Sequence, residues 1–172
     1  MKQKRSISEV WERFLKLLEA HAPEVIGHIR PPASMEAIAA AEQRLKVVFP
    51  EELRQFYLLA DGFQEGAYLL IDYYRILPLD EMVEASLAMV GQVVVMDFLA
   101  GEIEKPKKVV RLLFARAKED DPDISQVTLR LRARKPYMET WYREGGVHDW
   151  EEVVETGESL TESIETYLEY YG

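Results

Sequence analysis

Cysteine is missing from all 172 residues. That excludes disulfides, thiolate nucleophiles, Cys-type zinc sites and iron–sulfur clusters together, and it predicts a reducing, cytoplasmic setting. Histidine is scarce. His21, His28 and His148 are the only three, and no two of them stand at an i, i+4 spacing. His21 and His28 lie seven apart with Glu24 between them, but Pro23 and Gly27 interrupt any helix that would align them. Zinc needs three or four converging ligands, so neither a metal nor another cofactor is expected. Long apolar runs are absent too. The longest, around Leu87 to Ala100, carries Gln92 and Asp97 and is too short to span a bilayer. The first residues, MKQKRSISEVWERFLKLLEA, begin basic, but Glu9, Glu12, Arg13 and Lys16 break the apolar stretch that a signal peptide needs.

The chain also has no Gly-x-Gly-x-x-Gly or Walker-type phosphate loop and no Gly-x-Ser-x-Gly nucleophile elbow. DDPDIS, residues 120 to 125, starts like a calcium loop. Counted from Asp121, however, Gln126 falls at the glycine position and Arg132 at the bidentate glutamate, so it reads as a solvated turn. Gly145-Gly146 reads as a turn as well. No catalytic residue is assigned.

Positive charge is in deficit, with 21 basic against 31 acidic residues for a net charge of −10. Between Lys105 and Lys135 ten basic residues meet four acids, a local +6 that leaves −16 for the rest. From Glu144 onward there are nine acids and neither lysine nor arginine. Nucleic-acid binding depends on clustered cations, so this distribution argues against it. A concentrated negative segment fits a cationic protein partner instead.

What is present is a set of well-marked helices. Ser6 with Glu9 forms a capping box ahead of Val10, Trp11, Phe14, Leu17 and Leu18 on one face. After Pro31-Pro32, Ser34 caps a second helix carrying Ile38, Ala41 and Leu45. Pro50 suits the first position of a third, with Leu53, Phe56, Tyr57 and Ala60 as its stripe and Gly62 as the left-handed residue that stops it. Asp80 is placed to cap a helix through Met82, Val83, Leu87 and Val90. Ser159 with Glu162 caps a final helix that buries Leu160, Ile164, Tyr167, Leu168 and Tyr171.

Strands are expected at Tyr68 to Ile71, Tyr74 to Leu77, Val109 to Ala117, Met138 to Tyr142 and Val147 to Val154. Residues Gln92 to Phe98 read equally as helix or strand. Val127 to Ala133 alternates, with Val127, Leu129, Leu131 and Ala133 inward and Thr128, Arg130, Arg132 and Arg134 outward. That outer basic row is expected to face acids of a neighbouring strand. The sum is one α+β domain over residues 1–172, a mostly antiparallel sheet flanked by N-terminal helices and a C-terminal helix.

The run PPASMEAIAAAEQRLKVVFPEELRQFYLLADGF, residues 31 to 63, resembles the signature of the SUKH superfamily. That superfamily includes the domain of the fungal cell-wall-assembly regulator and many bacterial immunity proteins. The matching features are the Pro-Pro start, the helix with Ile38, Glu42 and Leu45, the Phe49-Pro50 step, the helix with Leu53, Phe56 and Tyr57, and Gly62. ILPLDEM, residues 76 to 82, resembles the family's strand leading into a helix, and SLTESIETYLEYY, residues 159 to 171, its closing helix. The family's Gly-containing strand pair and aspartate-rich strand have no counterpart placed here.

Members commonly carry Asn where this chain has Asp61, and Asp61-Gly62 reads as turn chemistry. The resemblance implies a non-catalytic protein-binding module: an immunity protein covering a toxin's active site or, alternatively, a regulatory adaptor, with an enzyme as the third reading. Tyr, Trp and Arg dominate protein interfaces. The candidate partner-binding residues are therefore Tyr73, Tyr74, Trp141, Tyr142, Trp150, Glu151, Glu155 and Glu158.

Overall fold

The computed structural model describes residues 5–67, 74–91, 94–97, 102–104, 106–109, 111–117, 125–131, 136–142, 152–155 and 158–171. Several expectations therefore lie outside the described residues: the strand at Tyr68 to Ile71, the turns at Asp120 to Asp123 and Gly145-Gly146, the side chains of Arg132 and Arg134, and His148.

Helix α1 (Ile7–His21) starts as its capping box dictates. The Glu9 N–H donates to Ser6 Oγ at 3.3 Å, and the Ser6 N–H donates to the Glu9 carboxylate at 2.8 Å. The Ser6 N–H, together with the Ser6 hydroxyl donating to the same oxygen at 2.9 Å, holds the Glu9 carboxyl below the usual glutamate range. After the short α2 (Pro23–Ile26), α3 (Met35–Leu45) begins with the Ala37 N–H donating to Ser34 Oγ at 3.1 Å. It ends at Lys46, whose φ of 56° is left-handed. In α4 (Glu51–Leu59) Pro50 takes the capping position, one residue before its expected place. Its extended ψ of 146° keeps it outside the helix, while Glu51 and Glu52 still meet the positive end.

The chain then forms β1 (Tyr74–Ile76) and α5 (Leu79–Ala88), followed by β2 (Val94–Asp97), so the described part of the ambiguous stretch is a strand. It pairs with β3 (Glu102–Glu104) as a separate two-stranded sheet. The main sheet adds β4 (Arg111–Ala117), β5 (Ser125–Arg130), β6 (Tyr137–Tyr142) and β7 (Glu152–Glu155) before α6 (Leu160–Tyr171) closes the fold. Its order is β1-β4-β5-β6-β7, antiparallel at every step. The fold is α+β, as the alternation of stripes and strands predicts.

Aromatic rings tie the layers together. Trp11 of α1 meets Phe56 of α4 edge-on at 5.4 Å, Phe56 meets Phe114 of β4 at 5.2 Å, and Phe14 meets Tyr167 of α6 at 5.9 Å. Each fully buried ring of this kind contributes roughly 1.5–3 kcal/mol through removal from water. The expected stripes are the ones buried: Val10, Phe14 and Leu18 from α1, Ile38 and Leu45 from α3, and Leu53, Phe56 and Tyr57 from α4.

The polar row of β5 departs from expectation. Thr128 is fully buried, and Glu139, opposite it on β6, is 0% exposed. Arg130 does reach a neighbouring strand's acid, with Nη1 3.7 Å from Glu139 Oε1. Alternation reports polarity rather than exposure, and around Glu139 the polar face is buried where a carboxylate and two arginines answer one another.

Candidate functional site

The stretch after α4 carries Asp61, which sequence reasoning set aside as turn chemistry, and the fold gives it more to do. Residues 61–64 lie between two neighbours. On one side the Arg30 N–H donates to Gly62 O at 2.9 Å and the Gln64 N–H to His28 O at 2.8 Å. On the other the Phe63 N–H donates to Ile76 O at 3.0 Å. The segment thereby covers the outer edge of β1. Gly62 does not stop α4, which ends with Ala60 in an extended conformation. Its φ of +66° is used three residues beyond the helix, inside this junction.

The same junction turns Asp61 inward. Its Oδ1 accepts the Leu79 N–H, the first amide of α5, at 2.7 Å, and Oδ2 pairs with Arg30 at 3.1 Å. Asp61, rather than Asp80, is therefore the side chain that caps α5. Asp80 sits inside the first turn, where it faces Arg30 at 3.1 Å. Burial pushes the Asp61 carboxyl above the usual aspartate range, against the opposing pull of the Leu79 N–H and Arg30, with Asp80 and Glu81 adding to the rise.

Two outcomes follow for Asp61. Asp61→Ala leaves a buried amide without its acceptor and should cost about 1–2 kcal/mol in urea unfolding. Asp61→Asn keeps the oxygen and sheds the ionisation. A group whose folded pKa is raised contributes most below its unfolded value and loses that contribution as pH rises through the folded one. Asp61→Asn should accordingly match the parent in acid and gain on it toward neutrality. A gap that runs the other way would contradict the raised carboxyl.

Beside this junction lies a cleft of about 400 Å3 between α3 and α5. Ala33, Ala37, Ala40 and Ala41 with Leu79 and Val83 form its walls, and Arg30, Asp61, Asp80 and Arg44 stand around it. Arg44 is bonded across to Glu84 of α5. Every charged group at this cleft is thus held by an opposite charge. Small apolar walls with paired charges suit the docking of a side chain or backbone. Among the described residues no group of three or more His, Asp or Glu could hold a metal ion.

A second polar knot lies on the sheet. Arg111 Nε donates to Glu139 Oε2 at 2.7 Å and the Thr128 hydroxyl donates to the same oxygen at 3.1 Å, with Arg111 only 3% exposed. Sequence reasoning missed this knot and the Arg30–Asp61–Asp80 group alike. Arg111 and Glu139 are 28 residues apart and Arg30 and Asp80 are 50, distances at which periodicity carries no signal.

The residues expected to meet a partner are spread over the sheet. Tyr74 is half-buried on β1, at one edge. Trp141 and Tyr142 lie in β6, in register with Gln126 and Ser125, and Glu155 lies in β7 opposite Glu139. Four strand spacings of about 4.8 Å place Tyr74 some ~19 Å from β7, so the fold does not gather these residues at one point. Glu158 is half-buried ahead of α6 and accepts the Thr166 hydroxyl at 2.8 Å. Tyr73, Trp150 and Glu151 lie outside the described residues.

Among the described residues no helix is long and apolar enough to cross a membrane. A search of curated proteins returned no match. The profile of the SMI1 / KNR4 family (SUKH-1) matches residues 32–166, most of the chain. That span holds α3, α4, β1 leading into α5, and most of α6, the elements of the runs 31–63, 76–82 and 159–171 that resemble the superfamily, and the chain belongs to the SMI1 / KNR4 family (SUKH-1).

Proposed function

We propose that this chain is a non-catalytic protein-binding module of the cytoplasm, and specifically an immunity protein that neutralises a cationic toxin by covering its active site. Family membership supports the binding role. The observation that favours a cationic partner is the charge segregation: nine acids without a lysine or arginine from Glu144 onward. Of these, Glu162 and Glu169 are exposed on α6. Such a field attracts a basic surface and speeds encounter. Trp141, Tyr142, Trp150, Tyr73 and Tyr74 would supply interface area, with Glu151, Glu155 and Glu158 setting the field.

A regulatory adaptor of the cell-wall-regulator type is the alternative within the same superfamily. Co-expression with the product of a neighbouring toxin-like gene separates the two readings: rescue of growth and a stable complex are expected for immunity, whereas unrelieved toxicity without a complex would reject it. Charge reversal at Glu151, Glu155 and Glu158 should lower the association rate with a cationic partner roughly tenfold at low salt, with a flatter salt dependence. A thermal melt of the variant checks that the loss of the Glu158–Thr166 bond has not unfolded α6. An unchanged rate would remove the electrostatic proposal.

A further inference from the structure

One face of the main sheet carries four arginines in two cross-strand pairs, Arg75 opposite Arg116 and Arg111 opposite Arg130. Like charges placed directly across a ladder repel, so each pair needs a carboxylate. Glu139 serves the second pair by reaching both Arg111 and Arg130. The first pair is only half served. Arg75 lays its guanidinium fork on Glu81 of α5, at 2.6 and 3.2 Å. Arg116 makes no ion pair among the described residues, although every other described arginine lies within pairing distance of an acid.

Beside Arg116 stands Gln126, its partner in register and only 7% exposed. Arg116 Nε and Gln126 Oε1 are both closed off from solvent, and neither has a hydrogen-bond partner. Burial of such groups without partners is costly, and few are left so in folded chains. The knot joins Arg111 of β4, Thr128 of β5 and Glu139 of β6. Here Arg116 of β4 is in register with Gln126 of β5, and the next register position, on β6, holds a tryptophan, Trp141, rather than an acid.

We propose that Arg116 and Gln126 form a receptor for a carboxylate carried by a protein partner. The half-buried Arg116 offers the planar donor fork that matches a carboxylate's two oxygens. A half-turn of the Gln126 amide, which barely changes its shape, adds an N–H donor. A tetrahedral dianion fits less well, because Glu81 already neutralises Arg75 and only one positive charge is uncompensated. The proposal rests on the protein-binding reading only for where the carboxylate comes from. Failure of the immunity test would leave the peptide result below intact, and the reverse also holds.

The test is a titration of the full-length 15N-labelled chain, observed at arginine Nε–H and glutamine NH2 signals, with a capped Gly-Glu-Gly peptide. The Arg116 signal is identified by its loss in Arg116→Lys. The Arg116 and Gln126 signals should shift saturably with the glutamate peptide, and not with the matching Gly-Gln-Gly peptide or with inorganic phosphate. Arg116→Lys, which keeps charge but loses the fork, should weaken binding roughly tenfold. Gln126→Glu, which builds a carboxylate into the site, should raise the melting temperature and abolish the peptide shift. No saturable shift, an equal response to the glutamine peptide or to phosphate, or undiminished binding by a folded Gln126→Glu would each overturn the proposal.

Discussion

Glu139→Ala should lower the unfolding free energy by about 3–5 kcal/mol, because it strands the Arg111 guanidinium inside the sheet. The carboxylate is 0% exposed, accepts from Arg111 Nε at 2.7 Å and from the Thr128 hydroxyl at 3.1 Å, and lies 3.7 Å from Arg130. Domains of this size are stable by only about 5–15 kcal/mol, so such a loss takes a large share of the total. The pair itself is not thereby worth that much. Desolvation of two ions offsets most of their attraction, and Arg111→Met with Glu139→Leu should recover most of the stability because both charges leave together. Urea unfolding of Arg111→Met, of Glu139→Leu and of the double variant gives the coupling directly. A Glu139→Ala cost below about 1 kcal/mol would mean that water reaches the knot and screens it.

Gly62→Ala is expected to be nearly as damaging, for a steric reason. Its φ of +66° costs an alanine about 1–2 kcal/mol by itself. A Cβ there would also lie 2.6 Å from Leu77 O and 2.7 Å from Pro78 N, both backbone atoms that cannot swing aside. Movement at this point pulls on the Arg30–Gly62 and Phe63–Ile76 hydrogen bonds and on the Asp61 cap of α5. Gly66 supplies the control, since its φ of +88° carries the same conformational cost while nothing lies within 4 Å of its added Cβ. The excess of Gly62→Ala over Gly66→Ala in urea unfolding isolates the clash. Faster amide exchange at Leu79 and Arg30 should accompany it. Equal costs for the two variants would show that the junction yields.

Local signals made the helices legible. Ser6 with Glu9, Ser34, and Ser159 with Glu162 mark three starts that the coordinates reproduce, because a cap joins residues three apart and needs nothing from the rest of the fold. The buried stripes of α1, α3 and α4 were legible for the same reason. Where a feature depended on a distant partner, reading failed. Asp80 looked like the α5 cap, but Asp61, 18 residues before the amide it accepts, takes that role. Gly62 looked like a helix stop, but its conformation serves a close approach to Leu77. Thr128 looked outward, but it is fully buried with its hydroxyl on Glu139 of the adjacent strand.

By itself, then, the sequence determined the caps, the apolar faces, the α+β class and the acidic bias of the last segment, all set by neighbours within a turn or two or by simple charge. Only the tertiary structure decided which charges neutralise one another across the sheet, which carboxylate caps α5, and which arginine is left over. Those choices depend on strand register and on burial that converts a weak attraction in water into a strict demand for a partner. No spacing along the chain encodes that demand, because it arises only when residues some 20 to 30 positions apart are brought within hydrogen-bonding distance.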